Sequence, residues 1–201
     1  MKPFPTTYSE SSAAVEADSL TEKGQIAQKK LAEAGYEVRL GLTETDAATI
    51  QQLALEPSII EYCPNDCDSR FRDKKGTTNW LSKGRAVFLL VEKATGDLAG
   101  YAWAGESQSD HVPDGKVTVA VRLSERHQGK GLATPYLAVV LDATIHLYDA
   151  DNLWLESWAS NTGAVHIYQK LGFTLVASVP STRPTATGSL TPDTRLYMTL
   201  T

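Results

Sequence analysis

From Val117 to Pro135 the chain runs Val-Thr-Val-Ala-Val-Arg-Leu-Ser-Glu-Arg-His-Gln-Gly-Lys-Gly-Leu-Ala-Thr-Pro. Its first seven residues alternate, with Val117, Val119, Val121 and Leu123 on one face and Thr118, Ala120 and Arg122 on the other. That period of two belongs to a strand with one apolar face. Pro135 lacks an N–H and suits the first turn of a helix, and helical periodicity follows from Thr134 to about Tyr148. Strand and helix are joined by Gln128, Gly129, Lys130, Gly131, Leu132, Ala133 and Thr134. Small residues there allow close backbone approach, and the first N–H groups of a helix have no internal acceptor. The N–H groups from Gly129 to Thr134 can wrap a pyrophosphate, aided by the positive end of the helix dipole. By itself such a turn is more often purely structural, since glycines in the left-handed conformation explain the same residues.

Two better-known phosphate loops are excluded. A Walker loop needs Ser or Thr after its Gly-Lys pair, and Gly131 follows Lys130 here. A dinucleotide fingerprint starting at Gly129 needs glycine at Thr134, and its strand should open a βαβ unit instead of following other strands.

Outward from this stretch the patterns alternate between strand and helix. Thr21 to Ala34 reads as a short helix stopped by Gly35, Tyr36 to Leu42 as a strand, and Thr45 to Leu55 as a helix ended by Pro57. A second helical region follows around Phe71 to Leu81. Ala86 to Glu92 and Leu98 to Trp103 form a hairpin across Thr95-Gly96-Asp97. Beyond the glycine turn come a strand from Leu153 to Trp158, a helix from Thr162 to Leu171, and strands from Phe173 to Val179 and Arg195 to Leu200. Pro180 to Asp193, rich in Pro, Ser, Thr and Gly, reads as a long connection that either borders a site or is floppy. The fold class is mixed α/β. Residues 1–35 form a polar extension carrying the first helix, its opening part to about Ser19 mobile or draped on the surface, and residues 36–201 form one domain.

At 201 residues with 42% apolar content the chain can bury one substantial core. No apolar stretch is long enough to span a bilayer, and no basic-then-apolar leader opens the chain, so no membrane association is expected and the location reads as cytoplasmic. A net charge of −5 argues against a nucleic-acid partner and suits cationic small molecules or basic peptide ends. Cys63 and Cys67 lack a second ligand pair for zinc and read as ordinary thiols, with no metal expected.

Gln128-x-x-Gly131-x-Ala133 resembles the Q/R-x-x-G-x-G/A motif of the GNAT N-acetyltransferases. The resemblance continues through Leu155-Glu156-Ser157-Trp158-Ala159-Ser160-Asn161, then Ala164, Tyr168 and Leu171-Gly172-Phe173, which look like that family's second signature. It covers about Tyr36 to Thr201 and is most specific from Val117 to Phe173. It implies a strongly twisted mixed sheet whose Val117–Leu123 and Leu153–Trp158 strands run parallel and splay apart around a pantetheine arm. It implies acetyl-CoA as cosubstrate, a primary amine acceptor (a small molecule or a peptide N-terminus), and transfer by direct attack through a tetrahedral intermediate.

The resemblance assigns main-chain contacts with pantetheine to Val121, Arg122 and Leu123, a cofactor-facing amide to Asn161, and the general acid to Tyr168. Asn161 is equally a favoured helix N-cap, and Tyr168 shares a helical face with Ala164 and Leu171 as a buried structural tyrosine would. Glu156 stands where N-terminal alanine acetyltransferases of ribosomal proteins, the subgroup with the most similar motif, carry a catalytic glutamate. Sharing a strand face with Trp154 and Trp158, it is expected to be partly desolvated and a better proton acceptor; an exposed or salt-bridged strand glutamate is the alternative. Glu106, Asp110, His111 and His127 read as solvated, and His146 and His166 as helix-surface residues. The acceptor side is placed among the loops around the first two helices and the last hairpin, with Glu61, Asp66 and Arg70 as candidates. The competing possibilities are a non-catalytic acetyl-CoA sensor and a scaffold of the same fold, as monomer or homodimer.

Overall fold

The computed structural model describes residues 7–185 and 187–201. Among them an eight-stranded mixed sheet runs in the order β1-β2-β3-β4-β5-β6-β8-β7. The strands are β1 (Ala13–Ala14), β2 (Tyr36–Leu40), β3 (Ala86–Glu92), β4 (Leu98–Glu106), β5 (Val117–Leu123), β6 (Leu153–Trp158), β7 (Thr174–Pro184) and β8 (Leu190–Leu200). The helices are α1 (Glu22–Glu33), α2 (Glu44–Leu53), α3 (Pro57–Tyr62), α4 (Lys74–Leu81), α5 (Ala133–Tyr148) and α6 (Thr162–Lys170).

Because successive side chains of a strand point to opposite faces, the sheet carries two cores. One packs Val117, Val119, Phe88, Leu90, Leu153 and Leu155 against α1 and α5, with Tyr136, Leu137 and Val140 fully covered. The other packs Leu89, Val91, Tyr101 and Trp103 against α2, α3 and α4, with Ile50, Ile59 and Trp80 inside.

Every pair of neighbouring strands is antiparallel except β5 and β6. This one parallel pair, joined through α5, holds register only at Val117 with Leu153 and Thr118 with Trp154. Beyond Thr118 the two strands part, so the splay expected from the resemblance is present and begins two residues into β5.

Two local expectations change, and a third is decided between its alternatives. Pro57 does not merely end α2: it occupies the first turn of α3, where its missing N–H is harmless, and a π-helical turn, Asp66–Arg70, precedes α4. The stretch from Pro180 to Asp193 is largely strand, pairing Pro180 with Thr194 through Pro184 with Leu190. Pro180 and Pro184 sit in β7, an edge strand that tolerates a lost N–H, and Pro192 sits in β8 beyond the end of its pairing with β6, which is why turn-forming composition misleads there. At the other end Ala13 and Ala14 pair with Arg39 and Leu40, and Val15 and Leu20 are buried in the core beside α1, so this mostly exposed segment is draped along the sheet edge, the second of its two readings. The backbone N–H and Oγ1 of Thr21 both donate to the carboxylate of Asp142, tying α1 to α5.

Candidate functional site

The parting of β5 from β6 opens a cleft of about 600 Å³. Val121, Arg122, Leu123, Gln128, Gly129, Ala133, Glu156, Asn161 and Tyr168 all line it. Lys130, Gly131, Leu132 and Thr134 do not; Leu132 is buried in the core and anchors the turn from beneath.

The turn itself is built for free donors. Gly129 and Gly131 adopt φ of 73° and 76°, a left-handed conformation costly for other residues. Glu125 to His127 form a single 3-10 turn, and no side chain caps α5 at Leu132. Among the described residues, the N–H groups of Gly129 to Thr134 have no acceptor within the chain. The side-chain amide of Gln128 donates to the carbonyl of Leu123 at 3.0 Å, so it braces the turn at the end of β5. Glu56 accepts from Ser124 Oγ and the Glu125 N–H, both at 2.7 Å, while Glu125 accepts the Ser58 N–H at 2.9 Å. These reciprocal bonds bolt the start of α3 to the glycine turn.

On β5 the three expected main-chain contacts divide. The Ser124 N–H donates to Ala99 of β4, and the Arg122 carbonyl lies against Gly100 of β4. Peptide groups alternate in direction along a strand, so Val121 and Leu123, but not Arg122, turn theirs toward the splay. Arg122 serves through its side chain instead: Nε donates at 2.8 Å to the fully buried carboxylate of Asp66 and Nη1 at 2.9 Å to the Val121 carbonyl. The same carboxylate accepts from Tyr101 Oη at 2.9 Å and Arg70 Nη1 at 2.8 Å. Of the acceptor-side candidates, Arg70 lines the cleft, Asp66 lies buried beneath it, and Glu61 bonds Arg183 at 2.8 Å.

Arg183, itself buried, also bonds Asp193 at 3.0 Å and stacks over Tyr62 at 4.9 Å, clamping the β7–β8 hairpin onto α3 beside the cleft. Asp193 further accepts from the Ser160 hydroxyl just before α6. Sequence composition hid this clamp, because an Arg-Pro dipeptide and an Asp in a Pro/Thr-rich stretch carry no periodicity.

Tyr168 is 8% exposed, yet its hydroxyl makes no hydrogen bond with a described residue and is not among the sealed polar atoms. The hydroxyl is therefore left for the cleft, which Tyr168 lines. Burial pushes its pKa up to about 12, against the lowering influence of Arg122, so the phenol stays protonated at neutral pH. Asn161 caps α6, its Oδ1 accepting the Ala164 N–H at 3.4 Å, and it also faces the cleft.

Glu156 takes the second of its two readings, exposed and salt-bridged. Trp154 and Trp158 are buried, but the Glu156 side chain is 46% exposed and accepts from Arg195 Nη1 at 3.4 Å. The reason is the neighbouring strand: Arg195 pairs opposite Trp158, stacks on its ring at 3.6 Å, and reaches diagonally to Glu156. His127 also differs, being 2% exposed with Nδ1 3.0 Å from Tyr36 Oη; burial, with Lys130 adding to it, lowers its pKa. Cys63 and Cys67 are free thiols, and burial pushes Cys63 up to about 11. Among the described residues no helix is long and apolar enough to cross a membrane, and no cluster of His, Cys, Asp and Glu could hold a metal ion.

Comparison with known proteins places these features. A 33% identical segment of 82 residues, 39% of this chain and 53% of the relative, matches the spermine/spermidine N(1)-acetyltransferase of Bacillus subtilis. The chain spans between about half and two thirds of the curated relatives it matches. The spermidine N-acetyltransferase of Vibrio cholerae, solved with CoA and spermine, superposes with a TM-score of 0.67 at 20% identity over 83% of this chain and 95% of that one. The ribosomal-protein-S5-alanine acetyltransferase of Vibrio fischeri superposes with a TM-score of 0.63 at 15% identity over 83% and 92%. At such identities the likeness is one of fold, and the alanine acetyltransferases stand no nearer than the polyamine enzymes. The family model of the acetyltransferase (GNAT) domain matches residues 39–174, from β2 through the splay, glycine turn and α6 to the first residue of β7. The chain therefore belongs to the GNAT acetyltransferase family.

Proposed function

We propose that this protein transfers the acetyl group of acetyl-CoA to an amine acceptor, and that the cleft between β5 and β6 is where transfer occurs. The observation that carries this is what meets at one cleft: the glycine turn, which borders it at Gly129 and Ala133 and whose six N–H groups have no acceptor among the described residues, the Val121 and Leu123 N–H groups of β5 that face the splay, and a buried tyrosine whose hydroxyl has no partner among the described residues. Acetyl-CoA supplies the acyl group and a thiolate leaving group. The turn from Gly129 to Thr134 receives the pyrophosphate through main-chain donors, and Val121 and Leu123 pair with the pantetheine amides as a neighbouring strand would. A β5 N–H at the splay is placed to stabilise the developing oxyanion. Asn161, already capping α6, presents its amide to the cofactor arm.

Tyr168 is the proton donor to the departing thiolate. Its pKa near 12 exceeds that of a thiol near 8.5 by about 3.5 units, so transfer succeeds only as the thiolate forms beside it in a site that excludes water. Glu156 is the proton acceptor for the amine, directly or through water, with Arg195 fixing its orientation. A base is needed because an alkyl ammonium with a pKa of about 10.4 is only ~0.1% neutral near pH 7.4. The acceptors in the names of the compared proteins, spermine or spermidine in one group and an alanine of a ribosomal protein in the other, define the screen.

Acetyl-CoA should raise the thermal midpoint of the protein, and CoA release should depend on the amine supplied. Tyr168→Phe should keep that thermal protection and lower kcat by about 10² to 10⁴. Because the hydroxyl makes no hydrogen bond with a described residue, its removal should leave stability within about 0.5 kcal/mol of wild type. A normal kcat in the Phe protein would remove Tyr168 from the chemistry.

A further inference from the structure

Five basic side chains line the cleft, Arg70, Lys83, Arg85, Arg122 and Arg195, against one carboxylate, Glu156. Arg122 and Arg70 share Asp66, and Arg195 has Glu156. Among the described residues Lys83 and Arg85 have no acidic partner. Arg85 is held nonetheless: Nη1 donates to the Glu106 carbonyl at 3.0 Å, and its guanidinium lies 5.2 Å from the centroid of Trp103. Arg70 lies 5.0 Å from that same ring. Gly105 leaves the room, since a Cβ there would overlap Nη1 and Cδ of Arg85.

Two like charges on one indole, one of them unpaired, form a site short of negative charge. The neighbouring polar groups lack acceptors too. Arg85 Nε and Trp103 Nε1 are both sealed from solvent with no partner, two of the four such atoms among the described residues.

This cluster does not serve the phosphates of CoA. Gly100 of β4 pairs with Leu123 beside the glycine turn, whereas Glu106, which Arg85 bonds, pairs with Val117 at the other end. Six residues of strand separate them, about 20 Å. The glycine turn has its own basic residues, Arg126 and Lys130. The cations therefore stand past the point where the cofactor arm ends, on the sheet face covered by α3 and α4.

We propose that the amine acceptor carries an oxyanion, a carboxylate or a phosphate, which Arg85 receives with Arg70 and Lys83 while the amine points toward Glu156 and Tyr168. This rests on the acetyl-transfer function proposed above. It separates this protein from the polyamine acceptors named for its relatives, which bring only positive charge to a cleft already positive. It also reverses the expectation drawn from the net charge of −5, because a whole-chain total says nothing about which sign lines one cleft.

The test uses matched acceptors: phenylalanine against phenethylamine, O-phosphoethanolamine against ethanolamine, and spermidine. CoA release should give a kcat/KM about ten- to a hundredfold higher for the oxyanion member of at least one pair, the range expected of a charge-assisted contact. The pair that responds identifies carboxylate or phosphate. Arg85→Met, which keeps the apolar stem, should collapse that ratio mainly through KM, and Arg85→Lys should restore part of it. Preference for the uncharged partner in both pairs or for spermidine, or an Arg85→Met protein with an unchanged ratio, overturns the proposal. If acetyl-CoA binds but no acceptor turns over, the transfer function fails by itself. Calorimetry of the same pairs on the acetyl-CoA-loaded protein then decides the anion site, equal affinities within each pair counting against it.

Discussion

Gly131 has φ of 76° and no described atom within 4 Å of where a Cβ would stand. A side chain there meets no steric wall in the protein, so its cost is conformational, about 1–2 kcal/mol for an L residue forced left-handed. Gly131→Val should therefore distort the turn and scatter its N–H groups without unfolding the chain. The expected outcome is a loss of at least about tenfold in acetyl-CoA affinity by calorimetry with a small change in thermal midpoint. An unchanged affinity would mean that the pyrophosphate lies elsewhere. At this scale the sequence was most legible where function needs the main chain, because glycine spacing and a first-turn proline encode backbone shape directly. It was less legible at Glu156, whose surroundings depend on Arg195, a residue 39 positions away in another strand.

Among elements, the decisive contact is the buried carboxylate of Asp66. It gathers Arg122 of β5, Tyr101 of β4 and Arg70 of its own π-helical turn, so one carboxylate holds the floor of the cleft to the segment leading into α4. Asp66→Asn would leave two guanidiniums sharing a neutral amide, with the Arg122 side chain only 11% exposed. Breaking a buried pair in this way costs about 3–5 kcal/mol, and urea denaturation should show a loss of that order. Acetyl-CoA affinity should fall with it, because Arg122 sits between Val121 and Leu123. A stability change under about 1 kcal/mol would show that the carboxylate does not carry this junction. The lone arginine in an apolar strand announces that a partner exists. Nothing in the sequence says that the partner lies 56 residues earlier, in a turn with no regular period.

For the whole molecule, burial sets a limit at high pH. Tyr168 and Tyr148 are both pushed up to about 12 by burial, and burial also raises Tyr101 and Tyr136. In the folded protein these phenols keep their protons where an unfolded chain, with tyrosines near 10, releases them. The stability they contribute is complete below about pH 10 and is lost as pH rises through about 12. Denaturation midpoints should accordingly begin to fall above about pH 9, where the raised Cys63 thiol comes into play, and fall more steeply above about pH 10 as the phenols join it. Tyr168→Phe should shallow that fall, with tyrosinate absorbance following unfolding. Ionisation of the buried phenols near pH 10 in a still-folded protein would contradict their burial.

Taken alone, the sequence determined the alternation of strands and helices, the glycine turn between β5 and α5, and the family signatures from Gln128 to Phe173. All of these are local: a period of two or 3.6, a backbone conformation only glycine accepts easily, or a spacing within one unit. The tertiary structure alone decided what crosses between units. It turned the main chain of Arg122 away from the splay, opened the Glu156 side chain to solvent beside Arg195, and closed the β7–β8 hairpin onto α3 through Arg183. It also brought Arg70 and Arg85 to one indole, that of Trp103, from opposite sides of α4. Charges interact through space over a few ångströms whatever their separation along the chain, so the sign of the cleft became visible only once the sheet had folded.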